Sequence, residues 1–212
     1  QFKRGITMRR STNIAQQAGN PTGWLGRIIA FIMSFESKGI NKVGLDLLDL
    51  QPADNFLDIG FAHGRTIQTC AAKLDKGLCA GIEISEDMVN MATRRCKKDI
   101  DKGIVELKLG SVEKIPYADE TFDKVLTVNT IYFWKDREGG AKEIFRVLKP
   151  GGKLVLTFRY DDAAKANFPA EVYTFSSKEE IIDLLTKAEF TIEKCEEKIT
   201  PKASLYWLVA KK

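Results

Sequence analysis

The sequence is poor in the residues that ligate metals or staple a chain. Its 212 residues hold one histidine, His63, and four cysteines, Cys70, Cys79, Cys96 and Cys195, none in a C-x-x-C pair. That spacing argues against a disulfide framework and a zinc site, and predicts reduced, mostly buried thiols in a cytoplasmic protein. No metal is expected. Long apolar runs are also missing. The first twenty residues lack the apolar stretch of a secretory signal. Trp24 to Phe35 is apolar, but it is short and carries Arg27, so it reads as an amphipathic helix and not as a membrane span. The P-loop pattern is absent. Counting from Gly60, the dinucleotide fingerprint G-x-G-x-x-G meets Ala62 and Arg65 at its other two places, so pyrophosphate binding is disfavoured. Excess charge of either sign is scarce. The net charge is +4, much of it from Lys3, Arg4, Arg9, Arg10 and the Lys211-Lys212 end. A solvated tail accounts for the basic start, and nucleic acid is not expected as a partner.

What is present is the composition of one ordinary globular domain, 44% hydrophobic and 29% charged. The chain is organised around Asn55-Phe56-Leu57-Asp58-Ile59-Gly60-Phe61-Ala62-His63-Gly64-Arg65-Thr66. This is a short buried strand ending in an acid, then a bend rich in small residues, then a helix start. Such a unit opens a doubly wound sheet, whose ligand crevice lies above the bend. Gly60 and Gly64 let the backbone turn and let a ligand approach the main chain.

Residues 1–20 read as a flexible basic tail, and 21–50 as two helices, 24–35 and 38–50, stopped by Gln51-Pro52. Strands follow at 78–84, 104–109, 122–129 and 153–159. A helix from Glu86 to about Ile100, capped by Ser85, and another over 138–148 alternate with them. Residues 160–175 form a long irregular segment. A helix over 177–188 with a Ser177–Glu180 capping box comes next, then strands at 190–198 and 204–210 joined as a hairpin. The prediction is a Rossmann-like α/β fold: seven strands, mostly parallel with a reversed C-terminal strand, and helices on both faces.

Three features fall where a nucleotide-like ligand meets such a sheet. They are the bend after Asp58, the carboxylate of Glu83 closing the second strand, and Gly110-Ser111-Val112-Glu113 after the third. A carboxylate in the second place accepts two hydrogen bonds from ribose hydroxyls. Each feature alone has a bland reading as a turn or a solvated acid. Their order and spacing together are hard to reach by chance.

In these residues the chain resembles the class I S-adenosylmethionine-dependent methyltransferases, in the group of small-molecule enzymes related to the ubiquinone/menaquinone C-methyltransferases. The resemblance runs from about Gln51 to Arg159. It rests on Phe56–Gly64, Gly81-Ile82-Glu83-Ile84-Ser85 with Met88, Gly110–Tyr117, Phe122–Val125 and Glu143–Gly152. It implies that residues 51–212 form the methyltransferase domain, with 21–50 covering the site. It implies S-adenosylmethionine as cofactor and S-adenosylhomocysteine as product. Asp58, Gly60, Ala62 and Gly64 would surround the methionine part, with Asn129 near the sulfonium. Glu83 would hold the ribose, Ile84 and Met88 would pack on adenine, and Ser111, Val112 and Glu113 would line its edge. Ala62 stands where a glycine is usual, and an ordinary negative φ is expected there. Ser111 stands where an acid is common.

The reaction implied is in-line displacement onto a small-molecule acceptor, in which alignment does most of the work. For the acceptor, Tyr132, Trp134 and Arg159 are candidate contacts; Tyr132 and Trp134 are read equally well as core packing. His63, Tyr132 and Tyr160 are candidate bases. His63 is more naturally a turn residue facing cofactor or solvent, and Trp24 and Phe31 are candidate covers. A monomer or homodimer is expected. Two other readings stay open: a protein that binds the sulfonium without methyl transfer, and a methyltransferase of RNA or protein.

Overall fold

The computed structural model describes residues 12–160, 169, 171–200 and 203–212; some side chains within 12–36 are also left undescribed. The elements are α1 (Thr12–Gly19), α2 (Gly23–Leu48), β1 (Phe56–Ile59), α3 (Arg65–Ala71), β2 (Cys79–Glu83), α4 (Glu86–Arg95), α5 (Lys97–Asp101) and β3 (Val105–Leu109). Then come β4 (Phe122–Val128), a 3₁₀ turn (Ile131–Phe133), α6 (Arg137–Val147), β5 (Leu148–Tyr160), α7 (Lys178–Lys187), β6 (Thr191–Ile199) and β7 (Ser204–Lys211).

One seven-stranded sheet runs in the order β3-β2-β1-β4-β5-β7-β6. The first five strands are parallel neighbours, and β7 runs antiparallel to both β5 and β6. The chain winds outward from β1 to β3, then returns to place β4 on the other side of β1. The direction therefore reverses between β1 and β4, and a crevice opens above their carboxyl ends. Side-chain alternation explains the two cores. Phe56, Leu126 and Val155 face α2 and α3, with Ile40, Leu48 and Ile67. Leu57, Ile59, Val125 and Leu154 face α6 and α7, with Ile144, Val147 and Leu185. β1 and β2 are buried on both faces, as a central parallel strand requires.

Three local expectations are corrected. Residues 12–19, expected in the tail, are helical; the tail expectation for 1–11 lies outside the described residues. The two N-terminal helices are one, 26 residues long. Nothing between Phe35 and Lys38 breaks it, because the segment holds no proline. Gly44 lets it close on the sheet: a Cβ there would lie 3.1 Å from Leu126 Cδ1. It ends at Asp49 in a left-handed conformation, φ 52°. The helix expected from Glu86 to Ile100 breaks at Cys96 into α4 and α5. The Ser177–Glu180 capping box forms as read. Most of the irregular segment after Tyr160, and Pro201-Lys202 of the hairpin connection, lie outside the described residues.

Candidate functional site

The chemistry of the site begins at the tip of β1. Asp58 is 3% exposed, because β1 is walled by β2 and β4 and roofed by helices. No hydrogen bond to its carboxylate occurs among the described residues. Burial, and then the neighbouring Glu83 charge, push its carboxyl up to about 8. After Ile59 the chain bends through three left-handed residues, Gly60 (φ 79°), Ala62 (φ 50°) and Gly64 (φ 78°). Gly60 is obligatory on two counts: its φ, and Thr130 Cγ2 only 2.5 Å from where a Cβ would stand.

The negative φ expected at Ala62 is wrong, and the reason lies one strand away. The Ala62 N–H donates to Glu83 Oε2 at 2.9 Å. The left-handed turn is what aims that N–H at the carboxylate. The N–H groups of Ile84 and Ser85 donate to Oε1 at 2.9 and 3.1 Å. Glu83 therefore stands as an immobilised acceptor, 7% exposed, with three backbone donors behind it. Burial raises its carboxyl above the usual range, and those three hydrogen bonds pull against the rise.

A cavity of about 1070 Å³ opens above these residues. Of the predicted site residues, Asp58, Gly60, Ala62, His63, Glu83, Ile84, Ser111, Val112, Glu113, Asn129 and Trp134 line it. Ile84, 44% exposed, supplies an apolar face beside Ile82 and Val112. Asn129 reaches the wall through another left-handed residue, φ 56°. Glu113 accepts from the Lys135 N–H at 2.9 Å, which holds the loop after β3 against the one before α6. Trp134 donates its Nε1–H to Thr130 Oγ1 at 3.0 Å on the same wall.

Other predicted residues do not line it. Met88 is 1% exposed and lies behind the first turn of α4, so Ile84 carries the apolar face without it. Tyr132 points into the fold. Its ring packs on Phe133, Tyr173 and Phe175 at 5.1–6.1 Å. Its hydroxyl accepts from the Arg159 N–H and donates toward Asn129 Oδ1 at 3.3 Å, and burial raises its phenol. Arg159 and Tyr160 are half-buried, beside residues that are not described. Gly64 is packed against Ala92 behind the bend, where a Cβ would come within 2.7 Å. His63 is 5% exposed, with no hydrogen bond to either ring nitrogen among the described residues. Burial first, then Arg95 and Arg65, lower its imidazole to about 4. It is neutral at physiological pH and a weak base. Trp24 is 75% exposed and covers nothing; the Phe31 side chain lies outside the described residues.

The cover comes from elsewhere. The α1–α2 corner, Ala18 to Pro21, forms part of the rim. The Ser85 hydroxyl donates to the Pro21 carbonyl, and Asp87 takes the Gly23 N–H at 2.7 Å and Arg27 at 2.6 Å. Farther along α2, Ser37, Lys38, Asn41, Lys42, Leu45 and Asp46 form one wall, facing Arg65, Thr66, Thr69 and Lys73 of α3. None of these was singled out in sequence. The available signal was their recurrence at i, i+4 and i+8 along the helix.

This donor set fits an adenosyl sulfonium. Glu83 offers fixed lone pairs to a vicinal diol. Ile84 and Val112 offer a slot to a flat base. The buried Asp58 carboxyl, beside a second carboxylate, stays protonated up to about pH 8 and would ionise more readily next to a cation. Strand order, bend and acid together define an α/β domain of the methyltransferase class. A family model described as a methyltransferase domain matches residues 57–156. The uncharacterized methyltransferase YdaC of Bacillus subtilis is 35% identical over 136 residues, 64% of this chain and 73% of that protein. The ubiquinone/menaquinone biosynthesis C-methyltransferase UbiE of Geotalea daltonii is 27% identical, over 63% of this chain and 56% of its own length. Among solved structures, an S-adenosylmethionine-dependent methyltransferase from Aquifex aeolicus superposes with a TM-score of 0.67 at 24% identity, covering 81% of this chain and 88% of that one. The [4+2]-cyclase SpnF superposes at 0.71 with 18% identity, covering 82% and 80%; likenesses at these identities speak for the fold alone. The chain belongs to the S-adenosylmethionine-dependent methyltransferases.

Proposed function

We propose that the chain transfers a methyl group from S-adenosylmethionine to a small-molecule acceptor, using the crevice above β1, β2 and β4. The observation that carries this reading is Glu83, a carboxylate on the cavity wall immobilised by three backbone N–H groups. When bound, the cofactor supplies an activated methyl on a cationic sulfur. In this reading Glu83 grips the ribose hydroxyls, while Ile84 and Val112 flank the base, and Ser111 and Glu113 meet its edge. Gly60 and Ala62 bring the main chain close to the methionine part, with Asn129 at its other side. Asp58 faces the cationic region and gains the partner that it lacks in the free chain.

The acceptor side falls to Trp134 and Phe133 on one wall and to the polar faces of α2 and α3 on the other. A base drawn from His63 is disfavoured by its lowered pKa, and one drawn from Tyr132 by its burial. Relatives named for rifamycin and demethylmenaquinone methylation support a small-molecule acceptor. Four free cysteines fit work in the cytoplasm. Among the described residues no helix is long and apolar enough to cross a membrane.

Thermal shift tests the cofactor side. Ligand at a hundred times its dissociation constant adds about 2.7 kcal/mol, which is roughly 5–10 °C here. S-adenosylhomocysteine should give that shift and NAD none. Glu83→Ala removes the charge-assisted acceptor for the ribose and should weaken binding by about tenfold or more; unchanged affinity would remove Glu83 from the site. A panel of small acceptors with isotope-labelled cofactor, read by product mass, tests methyl transfer. Labelling of RNA or protein alone would overturn the small-molecule reading.

A further inference from the structure

Helix α2 uses its two halves differently. The second half buries Ile40, Leu45 and Leu48 against the sheet. The first half leaves Trp24, Leu25, Ile28 and Ile32 exposed by 75%, 39%, 47% and 55%. At 3.6 residues per turn these four fall in an arc of about 100°, the width of an ordinary buried stripe. No element among the described residues covers it. The stripe is also held in a fixed place. Asp87 takes both the Gly23 N–H and Arg27, and the Ser85 hydroxyl holds the Pro21 carbonyl. The stripe therefore begins just after Pro21, a residue of the cavity rim.

Charge says what covers it. Residues 1–35 contain Lys3, Arg4, Arg9, Arg10 and Arg27 and no aspartate or glutamate; Arg27 is tied to Asp87, so the excess lies in the other four, which precede α1 outside the described residues. The whole chain carries only +4, so the excess is concentrated in this segment. An apolar stripe in an acid-free, cationic segment complements a surface that is apolar beneath and anionic above. That is the face of an anionic bilayer. A second copy would bring the same cations against themselves. RNA would satisfy the cations and leave Leu25, Ile28 and Ile32 without a role. No described helix meets the length and apolarity of a span, so the stripe lies on the surface.

We propose that the first half of α2 docks on an anionic lipid surface, with Trp24, Leu25, Ile28 and Ile32 in the interface, so that a membrane-borne acceptor enters the cavity past Pro21. Docking stands on the stripe and the charges alone; the membrane-borne acceptor rests on the methyl-transfer reading.

The chain carries its own probe. Of its three tryptophans, Trp134 and Trp207 are 7% and 4% exposed, so quenching by brominated lipid reports Trp24. The full chain is titrated with brominated phosphatidylcholine vesicles, with and without phosphatidylglycerol, in the absence of cofactor. The expected result is quenching and a blue shift with the anionic vesicles, reversed by high salt. Ile28→Ser with Ile32→Ser should weaken partitioning roughly tenfold or more and leave the S-adenosylhomocysteine thermal shift unchanged. Absence of quenching with anionic vesicles overturns docking. So does quenching that survives Trp24→Phe, or a Trp24 signal that responds to RNA or to protein concentration and not to lipid. Intact docking with no methyl transfer to any acceptor overturns the functional reading and leaves docking standing.

Discussion

Replacing Asp58 by asparagine should stabilise the free protein and weaken its hold on the cofactor. Asp58 is 3% exposed, and burial with the Glu83 charge lifts its carboxyl from its usual 3.8 to about 8. A carboxyl raised in the folded state adds stability below its unfolded pKa, and that contribution is lost as pH climbs through the folded value. The window is therefore pH 4 to 8. At about 1.4 kcal/mol per pH unit the upper bound is about 6 kcal/mol. Rearrangement and water entry around the charge reduce this to roughly 2–3 kcal/mol, or about 5–10 °C in Tm. Asparagine keeps the shape and cannot ionise, and its own unsatisfied amide contributes an offset that does not vary with pH. His63 runs the other way: its lowered pKa costs stability as pH falls from 6.5 toward 4. It does so in both proteins and drops out of their difference. The assay is scanning fluorimetry from pH 4 to 9 on both proteins, with and without S-adenosylhomocysteine. The Tm advantage of Asp58→Asn should grow with pH and shrink once ligand is added. A difference that stays flat with pH, or equal stabilisation of both proteins by ligand, would refute the assignment of a buried, cation-seeking charge.

Two further substitutions test the surroundings. Ala62→Gly relieves a left-handed alanine, φ 50°, at some cost in chain entropy, and should raise Tm by about 0.5–1 kcal/mol equivalent; a lower Tm would mean that the bend is not strained. Tyr132→Phe removes a hydroxyl that serves the Arg159 N–H and Asn129, and should cost about 1–2 kcal/mol of stability with KM for the acceptor little changed. A large fall in kcat at unchanged Tm would instead make Tyr132 a catalytic residue.

The parts of the site that were legible in sequence are those where one residue's covalent character decides the geometry. A strand that stops at Asp58-Ile59-Gly60 must turn, and an acid closing β2 must stand at the same edge. Parallel neighbours put both at one crevice. The misreadings came where a choice among adjacent residues decides. Apolar periodicity placed Met88 on the inner face of α4, and it is buried there; the adenine contact that the resemblance implied for it is left to Ile84, which meets the cavity. In Ile131-Tyr132-Phe133-Trp134 the 3₁₀ turn rotates each residue about 120° from the last. Tyr132 goes inward, and Phe133 and Trp134 reach the wall. No propensity distinguishes those outcomes. The wall from α2 was missed because the polar residues of the 38–50 helix read as its solvent face. Only Ser37, between the two helices as read, needed the unbroken helix to join Asn41 and Leu45 on that face.

Ala62 ties these findings together. A glycine there would turn left-handed at no steric cost, and the sequence suggested that alanine would avoid the turn. It does not, and its N–H is one of the three backbone donors among the described residues that hold the buried Glu83. Losing it would leave a buried carboxylate under-satisfied, at about 1–3 kcal/mol or more, against about 1–2 kcal/mol for the strained φ. The hydrogen bond outweighs the strain, and the left-handed alanine persists. The same comparison explains Asp58 on the other side. Two carboxylates buried at one crevice repel, and only Glu83 has backbone donors to offset the cost. Burial and Glu83 thus hold Asp58 protonated in the free protein up to about pH 8, and on the proposed reading a cationic ligand beside it would let it ionise. Stability of the free chain and affinity for the ligand are set in opposition by one side chain.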